Sequence, residues 1–258
     1  MRGVNRSRGV SIWLAVLLTL TVGPAINLAS AGVAEKLPDL AVVAPYEFKI
    51  IVRSDGQKRL RFTTIIANIG EGPFRLYGYD EDGTARVGDS LLVRQRIMQS
   101  DGSWVERDTP ATMFWGGDGH NHFHVKGLTL AKIQTPDGDT TLKTIKKIGF
   151  CFLDSYRYGS TAGTTFDPDH YVCQPAPNGR VPMGISVKWA DVYRQTIAHQ
   201  WIDITGLPNG EYKIKVIADP PWETGGVFRE SNESNNRGWT KIRITGSSVT
   251  ILSRSARP

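Results

Sequence analysis

Three of the chain's five histidines occupy alternate positions in one short stretch, Trp115-Gly116-Gly117-Asp118-Gly119-His120-Asn121-His122-Phe123-His124. A β-strand sends successive side chains to opposite faces. This spacing therefore places His120, His122 and His124 on one face, with Asn121 and Phe123 on the other. Neutral imidazoles gathered in this way form a facial set of nitrogen donors. Such a set suits Cu(II), Zn(II) or Fe(II) far better than Ca(II) or Mg(II). The preceding glycines let the backbone turn sharply into the strand. A surface strand that merely happens to carry histidines explains one such residue more readily than three at this spacing. The motif alone does not choose the metal.

The elements around this stretch read as strands. Leu40 to Val43, Glu47 to Val52 and Arg59 to Ile69 are rich in β-branched and aromatic residues, with a hairpin turn at Ser54-Asp55-Gly56. Ser90 to Gln99 and Ser103 to Arg107 flank Ser100-Asp101-Gly102. Asn121 to Gln134 and Thr140 to Phe152 flank Pro136-Asp137-Gly138. Gln200 to Thr205, Glu211 to Ala218 and Trp239 to Ile244 complete the series, with a turn at Pro208-Asn209-Gly210. Residues 154–184 read as a long irregular loop. Val187 to His199 reads as a short helix or a turn-rich connector. Many short strands, regular Gly/Asp turns and almost no helical periodicity predict an all-β fold: an antiparallel, immunoglobulin-like β-sandwich with long irregular loops.

Arg2, Arg6 and Arg8 precede an apolar run from Val10 to Val22 and an A-x-A site at Ala29-Ser30-Ala31. This is the pattern of an export signal, too short for a stable membrane span, so residues 1–31 are expected to be removed. Residues 32–246 would then form the functional domain and 247–258 a flexible tail. The signal holds three arginines and no acids, so the net charge falls from +6 to about +3 on cleavage. That mild charge, without a Lys/Arg cluster on a helix, gives no reason to expect nucleic acid as a partner. The only cysteines are Cys151 and Cys173. In a secreted or periplasmic protein the default for such a pair is one disulfide. Two thiol ligands are the weaker alternative, since neither residue has a C-x-x-C neighbour.

Taken together, several stretches resemble the catalytic domain of the lysyl oxidase family, in a compact, prokaryotic-type form. They are Leu37-Pro38-Asp39-Leu40, the histidine stretch, Lys147-Ile148-Gly149-Phe150-Cys151, Tyr193 seven residues before Gln200-Trp201-Ile202-Asp203-Ile204-Thr205, and the turn from Arg229 to Asn236. Each motif is short, but the series runs in order from Leu37 to about Gly246.

The resemblance implies a copper-dependent amine oxidase. Cu(II) would sit at His120, His122 and His124. A lysine tyrosylquinone would form from the chain's own Lys147 and Tyr193. Lysine adds to such a ring only when deprotonated, so its surroundings should be partly desolvated. The substrates implied are a primary amine or peptidyl-lysine and O2, with aldehyde, hydrogen peroxide and ammonia as products. Outside the motif register, Lys147 is one of three neighbouring lysines and Tyr193 an ordinary core tyrosine. Trp115 reads as packing beside the metal.

The resemblance also implies Ca(II) held by Asp39, the Leu40 carbonyl, Glu230, Asn232, Asn235 and Asn236. Hard cations take such oxygen ligands. Asn232 stands where the family more often has Asp, which removes one negative charge. The plain reading of the same residues is a hydrogen-bonded Asn turn, and Asn232-Glu233-Ser234 also spells a glycosylation sequon. Vertebrate-type members carry more disulfides, and they have a cysteine at Gly119 and a further histidine at Gly117. No long propeptide separates Ala31 from Leu37. Collagen or elastin as partners therefore does not follow. Two other classes compete. One is a secreted immunoglobulin-like adhesion module whose histidines only store metal, which would not need both Lys147 and Tyr193 at these spacings. The other is a zinc hydrolase, for which Asp118 is the one nearby acid/base candidate.

Overall fold

The structure, a computed structural model, describes Met1 and residues 32–79, 88–116, 121–145, 149–161, 172–220 and 226–258. The expected export signal, Asp118, His120 and Lys147 lie outside the described residues. Two compact units divide between Gly32 and Val33, and every strand belongs to the second.

The described strands begin with β1 (Glu35–Lys36), β2 (Leu40–Val52), β3 (Lys58–Asn68), β4 (Phe74–Tyr79), β5 (Ser90–Gln99) and β6 (Trp104–Trp115). Next come β7 (Phe123–Lys126), β8 (Thr129–Gln134), β9 (Thr141–Thr144), β10 (Gly149–Phe150), β11 (Tyr156–Arg157) and β12 (Val181–Ile185). The last are β13 (Trp189–Tyr193), β14 (Trp201–Asp203), β15 (Gly210–Ala218), β16 (Arg237–Thr245) and β17 (Ser248–Arg254). Three antiparallel sheets result. The first runs β10-β7-β6-β5-β4-β12, with β1 beside β5. In the second, β3 has β2 on one edge and β13 and β14 along the other, with β11 outside β13. The third runs β17-β16-β15-β8-β9. The fold is the expected all-β, antiparallel, sandwich-like one.

Alternation explains the faces. In β15, Tyr212, Ile214, Val216 and Ala218 point inward while Lys213 and Lys215 point outward. One continuous core joins the sheets, and Phe62, Phe74, Phe123, Phe150 and Phe152 are fully buried within it. Each such ring contributes roughly 1.5–3 kcal/mol relative to exposure.

Several expectations change. Leu40 to Val43 and Glu47 to Val52 are one strand, β2, bent by register shifts at Val43/Tyr46 and Tyr46/Lys49. Pro45 cannot donate to the ladder, and Glu47 takes φ +53. Val187 to His199 holds no helix: Trp189–Tyr193 is a strand that pairs with β3 through Tyr193↔Thr64, and the residues after it to His199 are the turn-rich connector. The 154–184 segment contains β11 and the fully buried β12, which pairs with β4, itself unmarked in the sequence reading. The tail is not flexible from 247. β17 pairs with β16 across a turn at Gly246 (φ +61), whose N–H donates to Asn209 Oδ1. Val249, Thr250 and Ile251 supply the β-branched residues that the polar composition around them obscured.

The Cys151–Cys173 disulfide is formed, with Cα atoms 5.9 Å apart and a sequence separation of 22. Closing a loop of that length restricts the unfolded chain by about 3 kcal/mol in the chain-entropy account.

Candidate metal and cofactor site

β6 and β7 form a hairpin in which Trp115 pairs with Phe123 and Phe114 with His124. His122 stands just before β7, where its carbonyl accepts the Gly116 N–H at 2.9 Å. His122 and His124 share a face, as expected. Their Nε2 atoms lie 2.9 Å apart and their rings meet edge to face at 4.6 Å. Two nitrogens that each bind one ion at about 2.0–2.1 Å stand roughly 2.9 Å apart when the angle between them is near 90°. This donor pair fits a transition metal in a tetragonal setting. His124 is buried against Phe114, and Trp115 packs edge-on to Phe123 at 5.1 Å, a packing contact.

β10 lies on the far side of β7, with Gly149 opposite Lys126 and Phe150 opposite Val125. A Cβ at Gly149 would fall 2.7 Å from both His124 Cβ and the Phe114 ring. Glycine there is what lets Gly149-Phe150-Cys151 lie against the histidine strand. At the other end of this segment, Tyr193 donates its hydroxyl to the Cys151 carbonyl (2.6 Å) and accepts the Cys151 N–H (2.8 Å). Phe150 meets the Tyr193 ring edge-on at 4.6 Å. Three residues, Gly149 to Cys151, thus connect His124 to Tyr193.

Two residues before Tyr193, on the same face of β13, lies Asp191. It is buried and its Oδ1 accepts from Ser155 Oγ at 3.3 Å. Burial pushes the Asp191 carboxyl well above the usual carboxylate range. Burial first, and then the neighbouring Asp191 charge, push the Tyr193 phenol up as well. Sequence reasoning named no acid here. The available signal was an acidic residue at i−2 of the tyrosine, which strand periodicity places on the same face.

The second predicted site assembles in part. Glu230 Oε2 accepts the Leu40 N–H, and its Oε1 accepts Asn236 Nδ2 at 3.0 Å. Asn235 Nδ2 donates to Asp39 Oδ1 at 2.7 Å. Asn232 instead caps its own turn, its Oδ1 accepting from Ser234 N–H (3.0 Å) and Oγ (2.6 Å). Two carboxylates that the sequence reading left out join the cluster. One oxygen each from Asp219, Glu230 and Glu233 lies within 4.8 Å of the others. Asp219 follows β15 and accepts the Val227 and Phe228 N–H groups at 2.8 and 2.9 Å. Burial is the main cause that raises Glu230 to about 9, with the Glu233 and Asp219 charges adding to it. Burial likewise raises Asp219 to about 6. The Oδ1 atoms of Asn235 and Asn236 are buried without a hydrogen-bond partner. A cavity of about 300 Å³ lined by Lys215, Asp219, Glu233, Asn236 and Arg237 opens beside the cluster. Crowded carboxylates with spare amide oxygens are the donor set a hard cation takes.

Comparison with known proteins bears on both clusters. Residues 91–253 match the family model described as lysyl oxidase. The chain is 31% identical over 130 residues to lysyl oxidase homolog 2 of Homo sapiens, covering 50% of this chain and 15% of that one. It is 33% identical over 118 residues to lysyl oxidase homolog 3 of Homo sapiens, covering 45% and 14%. A 66-residue stretch is 41% identical to lysyl oxidase homolog 2 of Gallus gallus, covering 26% and 8%. The chain therefore spans a small part of these relatives' length. The family model takes in well over half of this chain, and with it the histidine hairpin, the Lys147 to Cys151 segment and Tyr193: the chain belongs to the lysyl oxidase family.

Proposed function

We propose that this chain is an exported, copper-dependent amine oxidase acting on primary amines or peptidyl-lysine. The observation that carries the reading is the three-residue link from His124 to Tyr193. The segment that follows Lys147 touches the metal-donor strand at Gly149 and the tyrosine hydroxyl at Cys151.

With Cu(II) held by His120, His122 and His124, and a lysine tyrosylquinone made from Lys147 and Tyr193, the site would oxidise RCH2NH2 with O2 and water to RCHO, NH3 and H2O2. The chain's own contributions follow from the geometry. His122 and His124 offer Nε2 atoms from one side. The Cys151 backbone fixes the Tyr193 hydroxyl from two directions, and burial keeps that phenol protonated. Asp191, two residues before it on β13, has its carboxyl raised by burial and offers a group able to exchange a proton with the tyrosine site. The Phe150 ring excludes water from one edge of Tyr193.

Calcium at the second cluster belongs to the same proposal. Asp39, Leu40, Glu230, Asn235 and Asn236, joined by Asp219 and Glu233, would tie the start of β2 to the turn before β16. Export rests on the pattern of residues 1–31. Among the described residues, no helix is long and apolar enough to cross a membrane.

The test is the visible absorption of copper-loaded, aerated protein before and after phenylhydrazine, with peptide mapping of a Lys147–Tyr193 crosslink. A quinone band that shifts to a hydrazone, together with the crosslink, is the expected result. Bound copper with neither would leave a metal-binding sandwich module and end the oxidase reading.

A further inference from the structure

We propose that the Cys151–Cys173 disulfide is a positioning strut that holds the histidine strand and Tyr193 in register with each other. The proposal rests on the amine-oxidase reading for its consequence, but not for its geometry.

Each half-cystine grips one half of the site through its backbone. On one side, the Cys151 N–H donates to the Tyr193 hydroxyl at 2.8 Å and the Cys151 C=O accepts from it at 2.6 Å. On the other, the Cys173 carbonyl accepts the N–H of Phe123, the residue between His122 and His124, at 2.9 Å. The next residue, Gln174, donates its Nε2 to the Asn121 carbonyl at 2.6 Å. Cys173 is itself anchored, since its N–H donates to the Pro182 carbonyl in β12 at 2.7 Å. It also takes φ +59, a conformation that an L-residue holds only when its surroundings impose it.

The ordinary ladder does little of this work. Among the described residues, β10 pairs with β7 over Gly149 and Phe150, and Cys151 lies beyond that pair. The S–S bond continues the connection past the end of that ladder, from the Tyr193 contact to the strand that carries the histidines.

A disulfide can also act only on the unfolded chain, by reducing its entropy. The two roles differ in what they do to the native state. An unfolded-state effect lowers the melting temperature and leaves native contacts closed. A strut, when removed, lets the two gripped segments open locally while the rest of the fold stays shut.

The experiment compares the full chain, copper-loaded, with its Cys151→Ala/Cys173→Ala variant. Three things are read: amide hydrogen exchange, copper content and the yield of Lys147–Tyr193 crosslink. We expect the amides of residue 151 and Phe123 to exchange at least about tenfold faster together, while those of β3 and β15 are unchanged. Copper is retained, and the crosslink yield per copper falls by at least about tenfold. A lower melting temperature with both amides protected as in the parent, or an unchanged crosslink yield, overturns the strut. If the variant does not fold, the same two amides are followed while the folded parent is reduced with a phosphine. Protection that survives reduction overturns the proposal, and joint loss supports it. A parent that forms no crosslink at all defeats the amine-oxidase reading, while the two amides still decide the strut.

Discussion

The Tyr193 hydroxyl is met on two sides by the neutral backbone of Cys151, whereas around Glu230 three carboxylates crowd within 4.8 Å of one another. The first region is built around two imidazoles, a phenol, peptide groups and a disulfide. The second is built from groups that repel when ionised, and burial pushes two of them up to about 6 and about 9. The difference teaches what a metal would do in each place. A transition metal at the histidines adds chemistry to a frame that stands without it. A hard cation at Glu230 would relieve the repulsion among its three crowded carboxylates.

The sharpest way to break this contrast is to remove one group at a time from the neutral region. Tyr193→Phe should drop amine oxidation to background while copper stays bound, because the histidine hairpin does not depend on the phenol. It also strands the Cys151 N–H and C=O, which costs about 1–3 kcal/mol in stability. His122→Ala should lose both copper and quinone. Altering a residue that only supports a ligand already weakens metal binding by roughly 10–100-fold, and removing a ligand does more. Metal analysis and the phenylhydrazine assay read both variants. Oxidation surviving in Tyr193→Phe would show the cofactor assignment to be wrong.

The charged region should announce itself through pH. Glu230 keeps its proton in the fold up to about 9 but loses it near its ordinary value in the unfolded chain. The unfolded state therefore binds fewer protons between those values. The stability Glu230 contributes is full below its ordinary value and declines as pH rises towards about 9. Asp219 acts in the same direction up to about 6. Chelator-treated protein should lose several kcal/mol across this window in denaturant titrations. Calcium should flatten the decline, and Glu230→Gln should abolish the calcium response and the part of the decline above about 6, leaving the part that Asp219 contributes. A pH-independent stability in chelator would remove the case for a cation there.

Packing gives a smaller effect. Gly149→Ala places a methyl 2.7 Å from His124 Cβ and the Phe114 ring. Overpacking of this kind costs about 1–3 kcal/mol. Since the strain falls on His124, copper affinity should drop together with melting temperature. Stability lost with unchanged copper affinity would mean that the strain relaxes towards Phe114 instead.

Much of this was legible from one sequence, for local reasons. The His122/His124 pair follows from strand alternation, and Gly149 and Tyr193 from motif register. The all-β class follows from turn residues at short intervals. What escaped was set by contacts distant in sequence. Asp219 reads as an acid before two prolines, and only the close of β15 onto the Val227–Phe228 backbone brings it to Glu230. β12 contains Pro and Gly, and it is a strand because β4 pairs with it. The 247–258 tail looked polar enough to fray, yet the Gly246 turn returns it to β16.

Asn232 is where sequence register and structure part, and it carries the smallest expected effect. Register makes it a calcium ligand, but its Oδ1 is engaged by Ser234 N–H and Oγ. If it is a turn cap, Asn232→Ala costs about 0.5–1.5 kcal/mol, as loss of an ordinary hydrogen bond does, and leaves the calcium-induced rise in melting temperature intact. Glu233→Gln, by contrast, should diminish that rise, because Glu233 shares the carboxylate cluster and also accepts Asn236 Nδ2 at 3.1 Å. The reverse pattern, a calcium response lost in Asn232→Ala and kept in Glu233→Gln, would return the ligand role to Asn232. The cation would then sit on the Asp39 side of the turn, away from Asp219.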